Sequence, residues 1–216
     1  MLKLIMTKKR EITTDIVLID IINFSKLDTD QQLEIISFLT RSYRKVIEKI
    51  LSHSDIVLED FIMGFIPTGD GFYCILNPKY RGYGVILGVS FNHFSEQISK
   101  KFPYFNGIRI AVHTGKINQF LDILGHKNFI GDGLNDCARY LELKDFTIST
   151  VMVSDIAYEQ LKKFLAKRED YKKLLQQREF KRSETYIFKD KHNMIKRGYL
   201  VWMRKSGIIT PPKYKF

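Results

Sequence analysis

An uninterrupted hydrophobic run near the start of the chain is the first structural signal in the sequence. The segment Ile16-Val17-Leu18-Ile19-Asp20-Ile21-Ile22 is mostly β-branched and does not alternate with polar residues. Strands that are covered on both faces lose such alternation, so we predict a buried central strand. Asp20 lies inside this run, where a carboxylate is costly unless it has a partner.

Two longer segments have the hydrophobic spacing of helices. Thr29 with Gln32 has the spacing of a capping box, and apolar residues then recur every three or four positions. This pattern predicts a first long helix over residues 30–51. The same spacing over residues 87–98 predicts a second helix, which ends before Pro103.

A hairpin is predicted between the two helices. Residues 56–66 and 72–76 are strand-like, and the segment between them is Pro67-Thr68-Gly69-Asp70-Gly71. Its glycines permit the positive φ angles that a tight turn requires. We therefore expect Asp70 at the tip of this hairpin.

The rest of the chain extends this pattern to a complete fold. Further elements are predicted as a strand over 108–113, a helix over 132–143, an extended segment over 148–153, a helix from Ser154 to about Lys167, and a hairpin of residues 186–189 with 199–203. The order β-α-β-β-α-β predicts an α+β fold with a ferredoxin-like or palm-type antiparallel sheet and helices on one face. We expect a single domain over residues 1–216, with a core of about 12–154 and a C-terminal helix and hairpin extension over about 155–216.

Composition and charge narrow the partners. The 216 residues carry 35 Lys plus Arg against 24 Asp plus Glu, a formal charge of +11, which favours anionic partners. The two cysteines, Cys74 and Cys137, have no disulfide or metal-site spacing. Hydrophobic runs stay far below the roughly 20 residues of a membrane span, and the start lacks the order of a secretory signal. The expected location is the cytoplasm, with no membrane span.

Asp20 and Asp70 are the strongest chemical signal. In the predicted topology, the first strand and the hairpin tip lie side by side, so the two carboxylates converge. Two like charges held together are most readily kept ionised by a divalent cation. Paired carboxylates on such a sheet suit phosphoryl or nucleotidyl transfer with two metal ions. The structural alternative is a hydrogen bond to the next loop for Asp20 and an Asx turn for Asp70.

A second pair of polar residues lies on the predicted helix after residue 132. Asn135 and Arg139 are four positions apart, so they share one helical face. A guanidinium is permanently charged and forks onto phosphate oxygens, which fits the stabilisation of a phosphoryl transition state. The structural alternative for both residues is a solvated helix face.

Four blocks in order give the sequence a family resemblance. They are Asp20-Ile21-Ile22-Asn23-Phe24-Ser25, then Thr68-Gly69-Asp70-Gly71-Phe72, then Ile108 to Gly115, then Gly131-Asp132-Gly133-Leu134-Asn135 running to Arg139. They resemble the catalytic domain of class III nucleotide cyclases, the adenylate/guanylate cyclase superfamily. The resemblance covers about residues 15–154 and extends loosely to residue 199. It implies the palm-like sheet and a lyase that converts a nucleoside triphosphate to its 3′,5′-cyclic monophosphate and pyrophosphate.

The resemblance also implies roles for individual residues. Asp20 and Asp70, with the backbone carbonyl of Ile21, correspond to the ligands of two divalent cations, Mn²⁺ or Mg²⁺. Asn135 corresponds to the residue that orients the ribose, and Arg139 to the one that stabilises the pentavalent phosphorus. Active sites of the family lie at the interface of a head-to-tail dimer, so a homodimer with shared sites is expected, with Asn135 and Arg139 coming from the opposite protomer.

Three lysines are candidates for contacts with the triphosphate. Lys191 corresponds to the family lysine that holds the terminal phosphates, and Lys189 is a close competitor for that role. Lys127 is a further candidate for a phosphate contact. Solvation alone is the structural alternative for such lysines.

The base-reading positions depart from the purine-specific pattern of the family. Ile66 and Asn128 occupy them, and Phe24, beside the metal loop, is a third base-pocket candidate, with packing as its alternative. Neither purine signature is present, and Asn128 can donate or accept a hydrogen bond. Small bacterial cyclases that make cyclic UMP or cyclic CMP in antiphage signalling resemble this chain in size and in lacking that pair. UTP or CTP is therefore the favoured substrate, with ATP as the alternative.

Two readings of other classes compete with an active cyclase. One is a polymerase-like or nucleic-acid-binding palm domain, suggested by the charge and by the basic residues 162–182. This reading lacks the fingers-like insertions of a polymerase and does not explain Asn135 with Arg139, so nucleic acid is not the expected partner. The other is an inactive cyclase fold that only binds nucleotide. The presence of both aspartates, Asn135 and Arg139 argues against it.

Overall fold

The structure is a computed structural model, and it describes residues 11–52, 55–142 and 150–203. The strands are β1 (Glu11–Ile21), β2 (Ile62–Pro67), β3 (Gly71–Leu76), β4 (Ile108–Leu121), β5 (Lys127–Ile130), β6 (Thr150–Ser154), β7 (Phe180–Arg182), β8 (Tyr186–Lys189) and β9 (Ile195–Met203). The helices are α1 (Thr29–Leu51), α2 (Leu58–Phe61), α3 (Tyr83–Lys101), α4 (Asp132–Arg139), α5 (Asp155–Leu165) and α6 (Glu169–Gln177). None of these helices is both long and apolar enough to cross a bilayer.

One mixed sheet organises the described residues. Its strand order is β2-β3-β1-β4-β6-β9-β7, with β5 paired to β4 and β8 paired to β9. Strands β2, β3, β1 and β4 are antiparallel, which is the predicted ferredoxin-like arrangement. Strand β6 adds to β4 in parallel, because the chain crosses back through β5 and α4 before it re-enters the sheet. The predicted α+β class is confirmed, and the sheet is antiparallel except at this pair.

The two faces of β1 are both buried, as its unbroken hydrophobic run predicts. Val17 and Ile19 are fully buried in a core shared with α1, α3 and α5. Ile16 and Leu18 face the other way and pack in a second core that includes Cys137 of α4. The expectation of helices on one face is therefore wrong, because α4 covers the opposite face.

Several predicted boundaries differ from the observed ones. The capping box of α1 is formed by Asp28 and Gln31, not by Thr29 and Gln32, with the Asp28 carboxylate accepting from the Gln31 N–H at 2.8 Å. Residues 58–61, predicted to extend a strand, form the short helix α2.

The C-terminal half also differs from the prediction in its details. Helix α4 ends at Arg139, and residues 143–149, predicted as a helix end and a strand start, lie outside the described residues. In the final hairpin, β8 pairs with residues 195–198, whereas residues 199–203 pair with β6 and β7. The strand β5 and the helix α6 were not predicted.

Candidate active site

The end of β1 and the turn before β3 bring Asp20 and Asp70 together. Asp20 lies opposite Gly71 in the antiparallel register, and the Ile21 N–H donates to the Asp70 carbonyl at 2.8 Å. Gly71 is required at this point, because an added Cβ would lie 1.9 Å from the carbonyl oxygen of Ile19. The turn that holds Asp70 is therefore fixed against the strand that holds Asp20.

The environment of Asp20 favours a bound cation. Its side chain is 14% exposed, and both Nε and Nη2 of Arg109 donate to its Oδ2, at 2.7 and 2.5 Å. Burial raises the pKa of Asp20, and the nearby Asp70 carboxylate raises it further, whereas Arg109 opposes the shift. Two carboxylates thus share a partly buried position with one guanidinium between strands β1 and β4.

The donor set fits hard divalent cations. The two carboxylates and the Ile21 backbone are oxygen ligands, which Mg²⁺ and Mn²⁺ prefer. Within residues 11–52, 55–142 and 150–203 there is no cluster of three or more His, Cys, Asp or Glu side chains arranged for a metal ion. A cation at Asp20 and Asp70 would therefore need further oxygens from the backbone, a nucleotide or water.

A cleft of about 630 Å³ opens above the two aspartates. Its walls come from β1, β3 and β4 on one side and from α4 and the β8–β9 turn on the other. The lining residues include Asp20, Asp70, Tyr73, Arg109, Leu141, Glu142, Lys189, Asp190 and Lys191. This volume is in the range of small-molecule sites.

Arg109 is a site residue that the sequence analysis missed. It faces the cleft from β4, opposite Asp20 in the sheet register, and also approaches the Leu141 carbonyl at 3.4 Å. The available signal was a charged residue between Ile108 and Ile110 in a buried strand, where a cation needs a partner. Its partner, Asp20, is 89 residues away, so no local pattern pairs them.

Asn135 and Arg139 both lie on α4 as predicted, but their side chains differ in environment. Asn135 is exposed and is not part of the cleft lining. The Arg139 side chain is 19% exposed, and its Nη1 lies 2.7 Å from Asp136 Oδ1 and 3.2 Å from Asp190 Oδ2. The guanidinium is therefore directed towards the β8–β9 turn by two carboxylates of its own chain.

The candidate phosphate-binding lysines separate into two groups. Lys189 and Lys191 both line the cleft, on either side of Asp190. The Lys191 ammonium is 3.9 Å from the Glu142 carboxylate, and its side chain is 67% exposed. Lys127 is exposed on β5 and lies outside the cleft lining.

The predicted base-pocket residues are apart from the cleft. Ile66 on β2 and Asn128 on β5 lie on neighbouring segments. The closeness of β2 and β5 is shown by Gly64, where an added Cβ would lie 2.2 Å from the Phe129 ring. The Asn128 side-chain oxygen accepts from the Phe129 N–H at 2.8 Å. Phe24 is 7% exposed in the helix-side core, so the structure corrects its base-pocket assignment to packing.

The sheet and its layers define the fold of class III nucleotide cyclase catalytic domains, and comparison with solved structures shows this over nearly the whole chain. The guanylate cyclase domain of RhGC from Catenaria anguillulae in complex with GTP is 16% identical with a TM-score of 0.61, over 90% of this chain and 99% of that one. The adenylyl cyclase CyaB from P. aeruginosa is 11% identical with a TM-score of 0.61, over 96% and 100%. A non-canonical dimeric guanylyl cyclase domain of the RhoGC fusion protein from the aquatic fungus Blastocladiella emersonii is 16% identical with a TM-score of 0.58, over 92% of this chain and 99% of that one.

Sequence comparison adds nothing to this likeness. No family model matches the chain, and no curated protein matches it. At the identities of the solved structures the likeness concerns the fold, so the chemistry rests on the residues of the cleft.

Proposed function

We propose that this protein is a metal-dependent nucleotide cyclase, which converts a nucleoside triphosphate to its 3′,5′-cyclic monophosphate and pyrophosphate. The observation that carries the proposal is the pairing of Asp20 and Asp70 at the end of β1 in a cleft of nucleotide size. The cyclase fold raises the prior for this chemistry, as an analogy. In the reaction, the ribose 3′-oxygen forms a bond to the α-phosphorus, its proton leaves to solvent, and pyrophosphate departs with the bonding electrons.

In this reaction the acidic residues of the chain would bind cations, and its basic residues would bind phosphate groups. Asp20, Asp70 and the Ile21 carbonyl would hold two divalent cations, which supply Lewis-acid activation of the 3′-hydroxyl and neutralise the leaving group. Arg139 supplies a permanent positive charge for the pentavalent phosphorus, and Lys191 or Lys189 does so for the terminal phosphates. Because attacker and target belong to one molecule, orientation contributes more than a strong base does.

Arg109 adds a function to this set. Its bond to Asp20 neutralises one carboxylate. With a cation held at Asp20, the Arg109 guanidinium would be available at the floor of the cleft for a phosphate oxygen. We infer that Arg109 contacts the triphosphate from the same chain as the two aspartates.

A second copy of the chain would complete the site. Asn135, Ile66 and Asn128 lie outside the cleft that holds Asp20 and Asp70, so a single nucleotide meets both sets more readily across two subunits. The β4–β5 hairpin exposes large apolar side chains. More than half of the surface is exposed for each of Leu121, Ile123, Leu124 and Ile130. Exposed patches of this kind mark association surfaces. The proposed assembly is a homodimer with two equivalent sites.

The test of the activity is a product analysis. The purified protein is incubated with Mn²⁺ and each of the four common nucleoside triphosphates, and the products are identified by mass. We expect a 3′,5′-cyclic monophosphate and an equal amount of pyrophosphate from at least one of them. A folded protein that yields only diphosphate, monophosphate or unchanged triphosphate would contradict the proposal.

The base preference follows from Ile66 and Asn128. A pocket with an aliphatic chain and one amide has neither a carboxylate nor a lysine for a purine edge, and unpaired polar atoms lower transition-state binding. A pyrimidine has fewer polar atoms, and the Asn128 NH₂ can donate to a carbonyl oxygen of uracil or cytosine while its Oδ1 accepts from the Phe129 N–H. We therefore propose UTP or CTP as the substrate, and a pyrimidine signal in antiphage defence as the setting.

Kinetics with all four triphosphates test this preference. We expect a higher kcat/KM for UTP or CTP than for ATP or GTP. Asn128→Ala should reduce the preference by about 10-fold, a typical value for one lost hydrogen bond to a base, without changing the Mn²⁺ requirement. Gln119→Ala is the matched control, since this exposed amide lies opposite Phe129 on the same hairpin. A clear preference for ATP would overturn the pyrimidine assignment and leave the cyclase assignment intact.

A further inference from the structure

Asp190 is an acidic residue in a position where acid is unexpected. It lies between Lys189 and Lys191 in the turn that joins β8 to β9, and it lines the same cleft as both lysines. A carboxylate beside a polyphosphate site repels the substrate unless its charge is already used. Its side chain is 0% exposed, so Asp190 is turned away from solvent while its two lysine neighbours face the cleft.

One oxygen of Asp190 holds the turn. Its Oδ1 accepts from the backbone N–H groups of His192 and Met194, at 2.8 and 3.0 Å. The Asp190 N–H in turn donates to the Met194 carbonyl at 3.1 Å, which closes the same loop. The shape of the turn that carries Lys191 therefore depends on this carboxylate.

The other oxygen of Asp190 faces Arg139. Oδ2 is buried and accepts no hydrogen bond within the described residues, but it forms an ion pair with Nη1 of Arg139 on α4 at 3.2 Å. Burial alone would raise the pKa of Asp190, but the N–H groups of Met194 and His192 and the charge of Arg139 hold this pKa below its usual range. Asp190 is thus ionised, and it joins a guanidinium on α4 to a turn on the sheet.

A second carboxylate strengthens the same connection. Asp136 Oδ1 lies 2.7 Å from Nη1 of Arg139 and 2.8 Å from the Lys196 ammonium on β9. Helix α4 is therefore tied to the β8–β9 hairpin by two acids and two bases. Removing one member of such a network changes the geometry of the others.

We propose that Asp190 is a positioning residue, which fixes Arg139 and the Lys191 turn of one chain as a single unit. Arg139 does not line the cleft of its own chain, so this unit presents both cations in one geometry to the triphosphate held by the aspartates of the opposite chain. The proposal rests on the proposed function, in which Arg139 and Lys191 contact phosphate. Asp190 itself touches no substrate. Its charge is consumed by Arg139 and the turn, which explains how an acid is tolerated between two phosphate-facing lysines.

The test separates two effects of opposite sign on phosphate binding. Loss of a negative charge should strengthen binding, whereas loss of positioning should weaken it. Asp190→Asn and Asp190→Ser each remove a negative charge but keep an acceptor for the turn, and Glu142→Gln removes a negative charge from the same cleft without touching Arg139. Binding of inorganic tripolyphosphate to the full chain is measured by calorimetry, beside kcat and KM for the preferred triphosphate. Circular dichroism confirms the fold of each variant.

Positioning and simple charge removal give different results. We expect the Asp190 variants to bind tripolyphosphate about 5- to 10-fold more weakly, and to lose about 10- to 100-fold in kcat with a smaller change in KM. We expect Glu142→Gln to bind equally or more tightly. We also expect Asp190→Asn to weaken tripolyphosphate binding little further when Arg139→Ala is already present, because the two residues act together.

Each other outcome overturns a definite part of the account. If the Asp190 variants bind tripolyphosphate as tightly as Glu142→Gln and keep wild-type kcat, the positioning role is wrong. If both variants unfold, Asp190 is a folding residue and the proposal also fails. If the wild type cyclises no triphosphate but binds tripolyphosphate, and the Asp190 variants weaken that binding, the proposed function fails while the positioning role stands. A wild type that binds no tripolyphosphate overturns the positioning role, whereas the product analysis alone decides the proposed function.

Discussion

Two aspartates on β1, five residues apart, have very different surroundings. Asp15 faces the helices and is 1% exposed, with three donors on its carboxylate, from Gly82 N–H, Gly84 N–H and the Thr114 hydroxyl. Asp20 faces the cleft, and it meets Arg109 and a second carboxylate, Asp70. Burial is the largest cause that raises the pKa of both groups.

The difference lies in what surrounds each carboxylate. Asp15 is satisfied by neutral donors at the start of α3, where the backbone N–H groups have no partner within the helix. Asp20 has a like charge beside it, which is unfavourable without a cation. A buried acid with a full set of donors therefore indicates structure, whereas a pair of acids at the edge of a cleft indicates function.

The largest expected effect is on catalytic activity, which should depend on Asp20 and its neighbour Asp70. Asp20→Ala and Asp70→Ala should each lower the proposed cyclase turnover on the order of 10³-fold or more, because each removes a proposed metal ligand. Asp70→Ala should keep the melting temperature near that of the wild type, whereas Asp20→Ala should lower it while the protein stays folded, because Arg109 loses its carboxylate partner. Steady-state assays in saturating Mn²⁺ measure the loss. Near-wild-type turnover in either variant would break the functional side of the comparison.

The next largest effect is on stability, which should depend on Asp15. Asp15→Ala leaves three donors unpaired in the core and should lower the free energy of unfolding by about 3–5 kcal/mol. Asp15→Asn is the matched control, because an amide oxygen can accept from the two glycine N–H groups and its NH₂ can donate to Thr114. Urea unfolding of both variants measures the difference. Equal, small losses would show that the Asp15 contacts contribute little.

The smallest effect is the pH dependence of stability that Asp15 causes. Because burial raises the folded-state pKa of Asp15 above the ordinary 3.8, the folded state binds the proton more tightly than the unfolded state does. The stability contribution of Asp15 is therefore lost as pH rises from about 3.8 through the folded-state pKa, with a slope of at most about 1.4 kcal/mol per pH unit.

The difference in unfolding free energy between the wild type and Asp15→Asn isolates this effect, since other groups titrate alike in both. Their free energies are measured in urea at a series of pH values. The wild type should lose stability relative to the variant as pH rises through this window. A constant difference, or one of the opposite sign, would show that the carboxylate is as well stabilised in the fold as in water.

Local patterns predicted the framework of the fold well. The hydrophobic run around Asp20 and the glycine turn around Asp70 gave β1 and the hairpin, and the strand order then brought the two aspartates together. The side of the sheet covered by α4 was not predicted, because a short amphipathic helix fits either face of a sheet whose central strand is apolar on both.

The residues that were missed act over long sequence distances. Arg109 reaches Asp20 across 89 positions, and Asp15 receives donors from residues 67 and 69 positions away. Single-sequence periodicity contains no such pairing. Asp190 was missed for a different reason. In the sequence it lies between two lysines and has the pattern of a solvated charge, and its burial arises only when the turn folds.

Subunit complementation tests the central claim most directly, namely that Asp70 and Arg139 of two chains form one composite site. Inactive Asp70→Ala is mixed with inactive Arg139→Ala under conditions of subunit exchange, and turnover is measured with the preferred triphosphate. Random pairing makes half of the dimers mixed, each with one intact site, so the account predicts recovery of about a quarter of wild-type activity. No recovery after mass-verified exchange would contradict it.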